Sequence, residues 1–217
     1  MNPTAALAHT LGFRPDPGAR DFLPTGLPLD AAIQGFPRGA ISEIIGLESS
    51  GRTTLVHSLL AASTAKFEIC AYVDTDDSFD PVSAAAAGVA LSQLLWIRCG
   101  HNANHALRAA DSLLHAGGFG VIVLDLCRIP ARTANRIPIS YWYRFRRAIE
   151  NTPAILALVE KEPLARSCAA LMLEMKRAKT TWTGAPGFEL LREVELTAVP
   201  RKHARPHTVN FKAKAIG

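Results

Sequence analysis

Short apolar runs alternating with amphipathic stretches organise residues 40–160. Ala40-Ile41-Ser42-Glu43-Ile44-Ile45 is rich in β-branched residues and predicts a strand. Leu55, Val56, Leu59 and Leu60 then recur at helical spacing, in a segment free of Pro and Gly up to Ala65. Residues 70–74 read as a strand ending in acids, residues 81–88 as an alanine-rich helix, and residues 94–99 as a further strand. Ala106, Leu107, Ala110, Leu113 and Leu114 line one face of a helix over residues 104–116, stopped by Gly117-Gly118. Val121-Ile122-Val123-Leu124 is wholly apolar up to Asp125, the pattern of a strand buried on both faces of a parallel sheet. A helix over residues 141–150 and a buried strand over residues 154–159 complete the series.

This alternation predicts an α/β fold, a mostly parallel central sheet with helices on both faces. Ligands of such sheets bind beyond the carboxyl ends of the strands. The pattern changes towards the C-terminus. Residues 169–176, 193–199 and 208–214 read as strands joined by turn-rich links, an antiparallel extension. Residues 1–20, with Pro15, Pro17 and Gly18, read as a loosely held arm before a core domain of residues 21–217.

Between the first strand and helix lies the most specific chemical signal. Gly46-Leu47-Glu48-Ser49-Ser50-Gly51-Arg52-Thr53-Thr54 follows the phosphate-binding pattern of Gly, four residues, Gly, a cation and a hydroxyl. A strand-to-helix turn with chance glycines is the bland alternative, disfavoured by the strand–loop–helix context. Loop amides and the positive end of the helix converge there on phosphate oxygens, and the Thr53 hydroxyl stands where magnesium needs a ligand. The cation is Arg52, where the pattern asks for lysine. A planar guanidinium attracts phosphate but cannot fill the volume of a compact ammonium. Phosphoryl transfer depends on positioning, so the sequence predicts nucleotide binding with slow or absent turnover.

Two acidic positions belong to the same argument. Asp125 ends an apolar strand, where a carboxylate holds magnesium through water. Asp74, Asp76 and Asp77 end the neighbouring strand, within reach of a water attacking the terminal phosphate. Asp76 is the candidate catalytic carboxylate. The alternative is an N-cap cluster before Pro81, formed by Asp77, Ser78 or Asp80.

Composition changes the picture only in part. With 217 residues, 48% hydrophobic and 20% charged, the chain can bury one proper core. No apolar run has the length of a membrane span, and the first residues lack a signal-peptide pattern. Together with four scattered cysteines outside any CxxC pair, these features predict a cytoplasmic protein with reduced core thiols. His101 and His105, spaced i, i+4 without nearby acids or thiols, are expected on a solvated helix face.

The formal charge of +5 is unevenly placed. From residue 196 onward, Arg201, Lys202, Arg205, Lys212 and Lys214 occur without an acid. Arg128, Arg132, Arg136, Arg144, Arg146 and Arg147 form a second acid-free cluster, interleaved with Tyr141, Trp142, Tyr143 and Phe145. Cations mixed with aromatics suit single-stranded nucleic acid. An aromatic stripe at helical spacing is more often core, which is the favoured reading for these rings. Arg128, Arg132 and Arg136 remain candidate DNA contacts.

In order along the chain, these residues resemble the RecA-type recombinase core from about residue 23 to residue 211. The resemblance rests on Leu27-Pro28-Leu29-Asp30, Gly35-Phe36-Pro37-Arg38-Gly39, the phosphate loop, Tyr72-Val73-Asp74-Thr75-Asp76 through Asp80-Pro81, and Val121–Asp125. It implies a RecA-like P-loop fold, ATP and Mg2+ as cofactors, and contact with single-stranded DNA. The departures are specific. Asp76 stands for the family's water-activating glutamate, Arg52 for its lysine, and Glu160 for its nucleotide-sensing glutamine. The second DNA-binding loop shrinks to residues 161–167, and the first corresponds to the arginine-rich residues 129–140. Of two lysines that reach a neighbour's nucleotide in the filament, Lys202 matches one and Pro200 replaces the other.

Residues 145–153 and 170–177 are similar to the ImuA branch, RecA-like accessory proteins of SOS mutagenesis cassettes. That similarity implies an accessory role in translesion synthesis. The implied partners are RecA, an inactive Y-family polymerase homologue and an error-prone polymerase. Two other readings compete: a DNA-dependent ATPase with recombinase activity, opposed by Arg52 and the short second loop, and a SulA-type cell-division inhibitor, opposed by the well-kept phosphate loop. The oligomeric state stays open.

Overall fold

The computed structural model describes residues 21–185, 187–202 and 208–214; the arm expected at residues 1–20 and Arg205 of the basic tail lie outside the described residues. Its centre is an eight-stranded sheet. The strands are β3 (Ala40–Gly46), β4 (Ile69–Asp74), β5 (Leu94–Arg98), β6 (Phe119–Asp125), β7 (Ile155–Glu160), β8 (Ala169–Thr183), β9 (Leu190–Lys202) and β10 (Val209–Lys214). Their order is β10-β9-β8-β3-β7-β6-β4-β5. From β8 to β5 every neighbour is parallel, whereas β9 and β10 add antiparallel strands beside β8. A separate antiparallel pair, β1 (Phe22–Leu23) and β2 (Phe36–Pro37), precedes the sheet. This is the predicted architecture, including the antiparallel extension.

Helices cover both faces. On one side, α2 (Arg52–Thr64) buries Leu55, Val56, Leu59 and Leu60 together with Ile44, Val121 and Val123. Nearby lie α1 (Asp30–Ile33), which contributes Ile33, and α3 (Pro81–Ala86), which contributes Ala84. On the other side, α4 (Ala103–Ala116) and α6 (Ile139–Ile149) pack Leu107, Leu113, Trp142 and Phe145 against Ile122, Leu124 and Leu156. The central strands are apolar throughout because both their faces are covered.

Local signals fix the helix starts. Asp80 accepts from the Val82 and Ser83 amides, so it is the cap of α3 among the three candidates before Pro81. Asn102 caps α4 in the same way. A short helix, α5 (Ala131–Ala134), interrupts the arginine-rich segment before α6.

Candidate nucleotide site at the carboxyl edge of the sheet

The phosphate loop leaves β3 at Gly46 and enters α2 through Gly51, whose φ of 87° falls in the left-handed region that suits glycine. A Cβ at Gly51 would stand 2.4 Å from Cδ1 of Leu196 on β9, and one at Gly46 would stand 2.5 Å from the Met175 carbonyl oxygen. Both glycines are therefore demanded by the strands of the C-terminal extension, which flank the loop closely. No side chain caps α2. Among the described residues, the amides of Gly51, Arg52, Thr53 and Thr54 find no backbone acceptor. Those amides and the helix dipole fit an anion. The Ser50 hydroxyl is buried without a partner beside Gly46, a second group that a phosphate oxygen would satisfy. Thr53 is exposed in the first turn of α2.

Arg52 does not face the loop mouth alone. Its side chain is buried, and Nη1 donates to the carbonyl oxygen of Glu160 at 2.8 Å. The guanidinium thus caps the end of β7, joining the start of α2 to that strand end by one hydrogen bond from a charged donor. Glu48, exposed on the loop, lies 3.4 Å from Lys161 just beyond β7, a second and solvent-screened link.

Beside that contact sits a buried carboxyl pair. Glu43 and Glu160 are almost fully buried. Glu43 Oε1 accepts from three consecutive amides, Leu164, Ala165 and Arg166, so the short segment after β7 is pinned to β3. Burial, and next a hydrogen bond with Glu43, push the Glu160 carboxyl well above its ordinary range. Oε2 of each glutamate is buried without a hydrogen-bond partner.

Asp125 ends β6 and is held in place. Its Oδ2 accepts from the Tyr72 hydroxyl at 2.7 Å, and Oδ1 from the Cys127 amide at 2.9 Å. The Ser78 hydroxyl lies 3.3 Å from Oδ2. Burial, then Asp125, push the Tyr72 phenol up, so it stays a donor. Burial also drives the Cys127 thiol far up, which keeps it protonated and inert. Asp74 is consumed structurally: its buried carboxylate accepts from the Ser78 and Phe79 amides and from Trp96 Nε1. Asp77 pairs bidentately with Arg98 in solvent.

Asp76 has a partner that the local spacing hid. His101 Nδ1 lies 3.1 Å from its Oδ1. His101 sits in the turn before α4, with φ of 60°, and not on a helix face. The expectation that it lacks an acidic neighbour is therefore corrected: the acid comes from the adjacent strand end.

Among the described residues no group of three or more His, Cys, Asp and Glu could hold a metal. A magnesium ion here would draw on Thr53, on Asp125 through water and on phosphate oxygens, the sparse protein set that Mg2+ accepts.

Residues 20–134, just over half of the chain, match the RecA N-terminal domain. The chain belongs to the RecA family. Over 100 residues it is 42% identical to Protein RecA of Rhodospirillum rubrum, a stretch covering 46% of this chain and 27% of that one. Over 117 residues it is 39% identical to Protein RecA of Rickettsia prowazekii, covering 53% and 34% respectively. The chain thus matches about a third or less of the length of these curated relatives.

Within this RecA-family chain the remaining expected residues divide sharply. Arg128, Arg132 and Arg136 are exposed and, among the described residues, make no ion pair. Trp142 and Phe145 are core and meet edge to face, which agrees with the structural reading of the aromatic stripe. Tyr141 packs half-buried against the same core and lies under the Arg144 guanidinium at 4.8 Å, whereas Tyr143 is exposed, contrary to that reading. Lys202, expected to reach a neighbouring subunit, is used within its own chain. Its ammonium donates to the carbonyls of Arg166, Ser167 and Ala169 and closes the turn before β8. Sequence reasoning missed Glu43, Tyr72, His101 and Leu196. Only Glu43 carried a signal, an acid in the middle of an apolar strand.

Proposed function

We propose that this chain is a degenerate RecA-family protein acting as an accessory factor in the DNA-damage response and translesion mutagenesis, of the ImuA branch. It binds ATP with Mg2+ on the phosphate loop, without efficient hydrolysis, and works in the cytoplasm. Its partners are RecA and error-prone polymerase components, with single-stranded DNA contacted through Arg128, Arg132 and Arg136. Residues 21–217 act as one core domain.

The observation that carries this reading is the placement of Arg52. The loop retains its glycines, its unpaired amides and Thr53, while its cation is engaged by the backbone of β7. Such a loop holds phosphate through backbone dipoles and lacks the compact mobile charge that a transferring phosphoryl group needs. Asp76, the candidate catalytic residue, is turned towards His101, and Asp125 is held by Tyr72.

A nucleotide titration with and without single-stranded DNA, reading binding and turnover separately, tests it. Binding without DNA-stimulated turnover is expected. DNA-stimulated hydrolysis abolished by Asp125→Ala would establish the competing reading, a DNA-dependent ATPase, which the free loop amides and exposed Thr53 favour. Failure of the purified chain to associate with RecA or any polymerase component would remove the accessory role.

A further inference from the structure

The far end of the β8–β9 hairpin has no part in the nucleotide site. β8 pairs with β3 only as far as Met175 opposite Gly46. Beyond it the two strands continue as a ribbon closed by Thr183 opposite Leu190, with β10 alongside only from Glu193 to Ala198. Because β8 runs parallel to β3, this ribbon leaves the same edge as the phosphate loop. At about 3.3 Å per residue it reaches roughly 25 Å beyond the end of β3.

Its tip is apolar and aromatic where a free ribbon would be expected to be polar. Trp182 is 54% exposed, Phe188 83% and Leu190 74%. The cations around it are only partly paired. Lys176 is paired with Glu174 at 3.0 Å, and Lys212 with Glu193 at 2.8 Å. Arg177, Lys179 and Arg192 are exposed and, among the described residues, have no carboxylate within ion-pair distance. Of the other acids on the ribbon, Glu195 stands opposite both Lys179 on β8 and Lys212 on β10, and Glu189 is the one nearest the tip.

We propose that the ribbon tip binds single-stranded nucleic acid without sequence preference, Trp182 and Phe188 stacking on bases while Arg177, Lys179 and Arg192 meet phosphates. Exposed rings among cations are what this ligand uses, and the unpaired positive charge selects a polyanion. A second copy of the chain is the poorer occupant. Three apolar side chains are far short of the roughly 800 Å² per partner of a stable interface, and the same cations would face each other. The contact is separate from Arg128, Arg132 and Arg136, which stand on other elements.

Tryptophan fluorescence of the full chain, titrated with oligothymidylate and with duplex DNA, reads the tip directly. Trp142 is buried and Trp96 is bonded to Asp74, so the solvent-exposed emission belongs to Trp182. Oligothymidylate should quench that emission more strongly than duplex DNA does. Trp182→Ala and Phe188→Ala, both at exposed positions, should each weaken binding of a labelled oligothymidylate about fivefold or more by anisotropy. Replacing Arg177, Lys179 and Arg192 by Ser should flatten the salt dependence. The Arg128→Ser, Arg132→Ser, Arg136→Ser variant should retain the quenching, so failure of the loop contact and failure of the tip contact are distinguishable. Unchanged Trp182 emission, or unchanged affinity in Trp182→Ala, overturns the proposal. So does self-association in sedimentation that is lost in Trp182→Ala, which would assign the tip to contact between copies.

Discussion

Arg52 Nη1 donates to the carbonyl oxygen of Glu160 across 108 positions of sequence, at 2.8 Å and in a buried contact. The contact joins the start of α2 to the end of β7. It makes the loop cation a structural bond and ties the phosphate loop to the segment that Glu43 pins behind it.

Removing that guanidinium leaves a buried carbonyl without a donor. Arg52→Ala should destabilise the chain by about 1–3 kcal/mol, the cost of an unsatisfied buried acceptor. Urea denaturation of the ligand-free protein measures it. A change within experimental error would show that Arg52 is free to serve phosphate.

The carboxyl pair sets a pH dependence. Glu160 has its folded pKa raised, so the folded state binds the proton more tightly than the unfolded chain. Its contribution is complete below the ordinary glutamate range and is lost as pH rises through the folded pKa. Stability should therefore fall with rising pH above about 4.5, and Glu160→Gln should flatten that slope while stabilising the chain at neutral pH. Thermal melts of both proteins across the acid-to-neutral range decide it; parallel profiles would contradict the upward shift of the Glu160 carboxyl.

Gly51 and Leu196 should be coupled. Gly51→Ala meets Leu196 at 2.4 Å and an unfavourable φ of 87°, so it is expected to be strongly destabilising. Leu196→Ala empties a buried position at a cost of about 2–5 kcal/mol. The double variant should cost less than the sum, because the alanine methyl then has room. Additive costs would mean that β9 does not press on the loop.

Tyr72→Phe should remove one donor from Asp125 at a cost of about 0.5–1.5 kcal/mol. It should also strengthen the Mg2+ dependence of nucleotide binding by freeing Oδ2. Calorimetric titration of nucleotide with and without Mg2+ tests this, and an unchanged dependence would mean that Asp125 does not act through the ion.

The alternation of apolar strands and amphipathic helices made β3, β4, β6 and β7 legible, because strands covered on both faces must be apolar. The C-terminal strands were recognisable but underestimated: β8 runs to Thr183 and β9 begins at Leu190, where Thr, Lys and Trp give no buried face to read. The phosphate loop was equally plain from its spacing of glycines, cation and hydroxyl, although the contacts that demand those glycines, with Met175 and Leu196, are tertiary. His101 was not, because its acid stands 25 positions earlier on a neighbouring strand end.

By itself, then, the sequence determined the layered α/β fold, the loop from Gly46 to Thr54 and the strand-end positions of Asp76 and Asp125. These follow from periodicity and from turn chemistry, which act over a few residues. Tertiary structure alone decided that Arg52 points to Glu160, that Glu160 is buried beside Glu43, that Tyr72 holds Asp125 and that Lys202 closes its own turn. Each depends on which distant strand ends become neighbours, and buried polar groups take whatever partner that adjacency supplies.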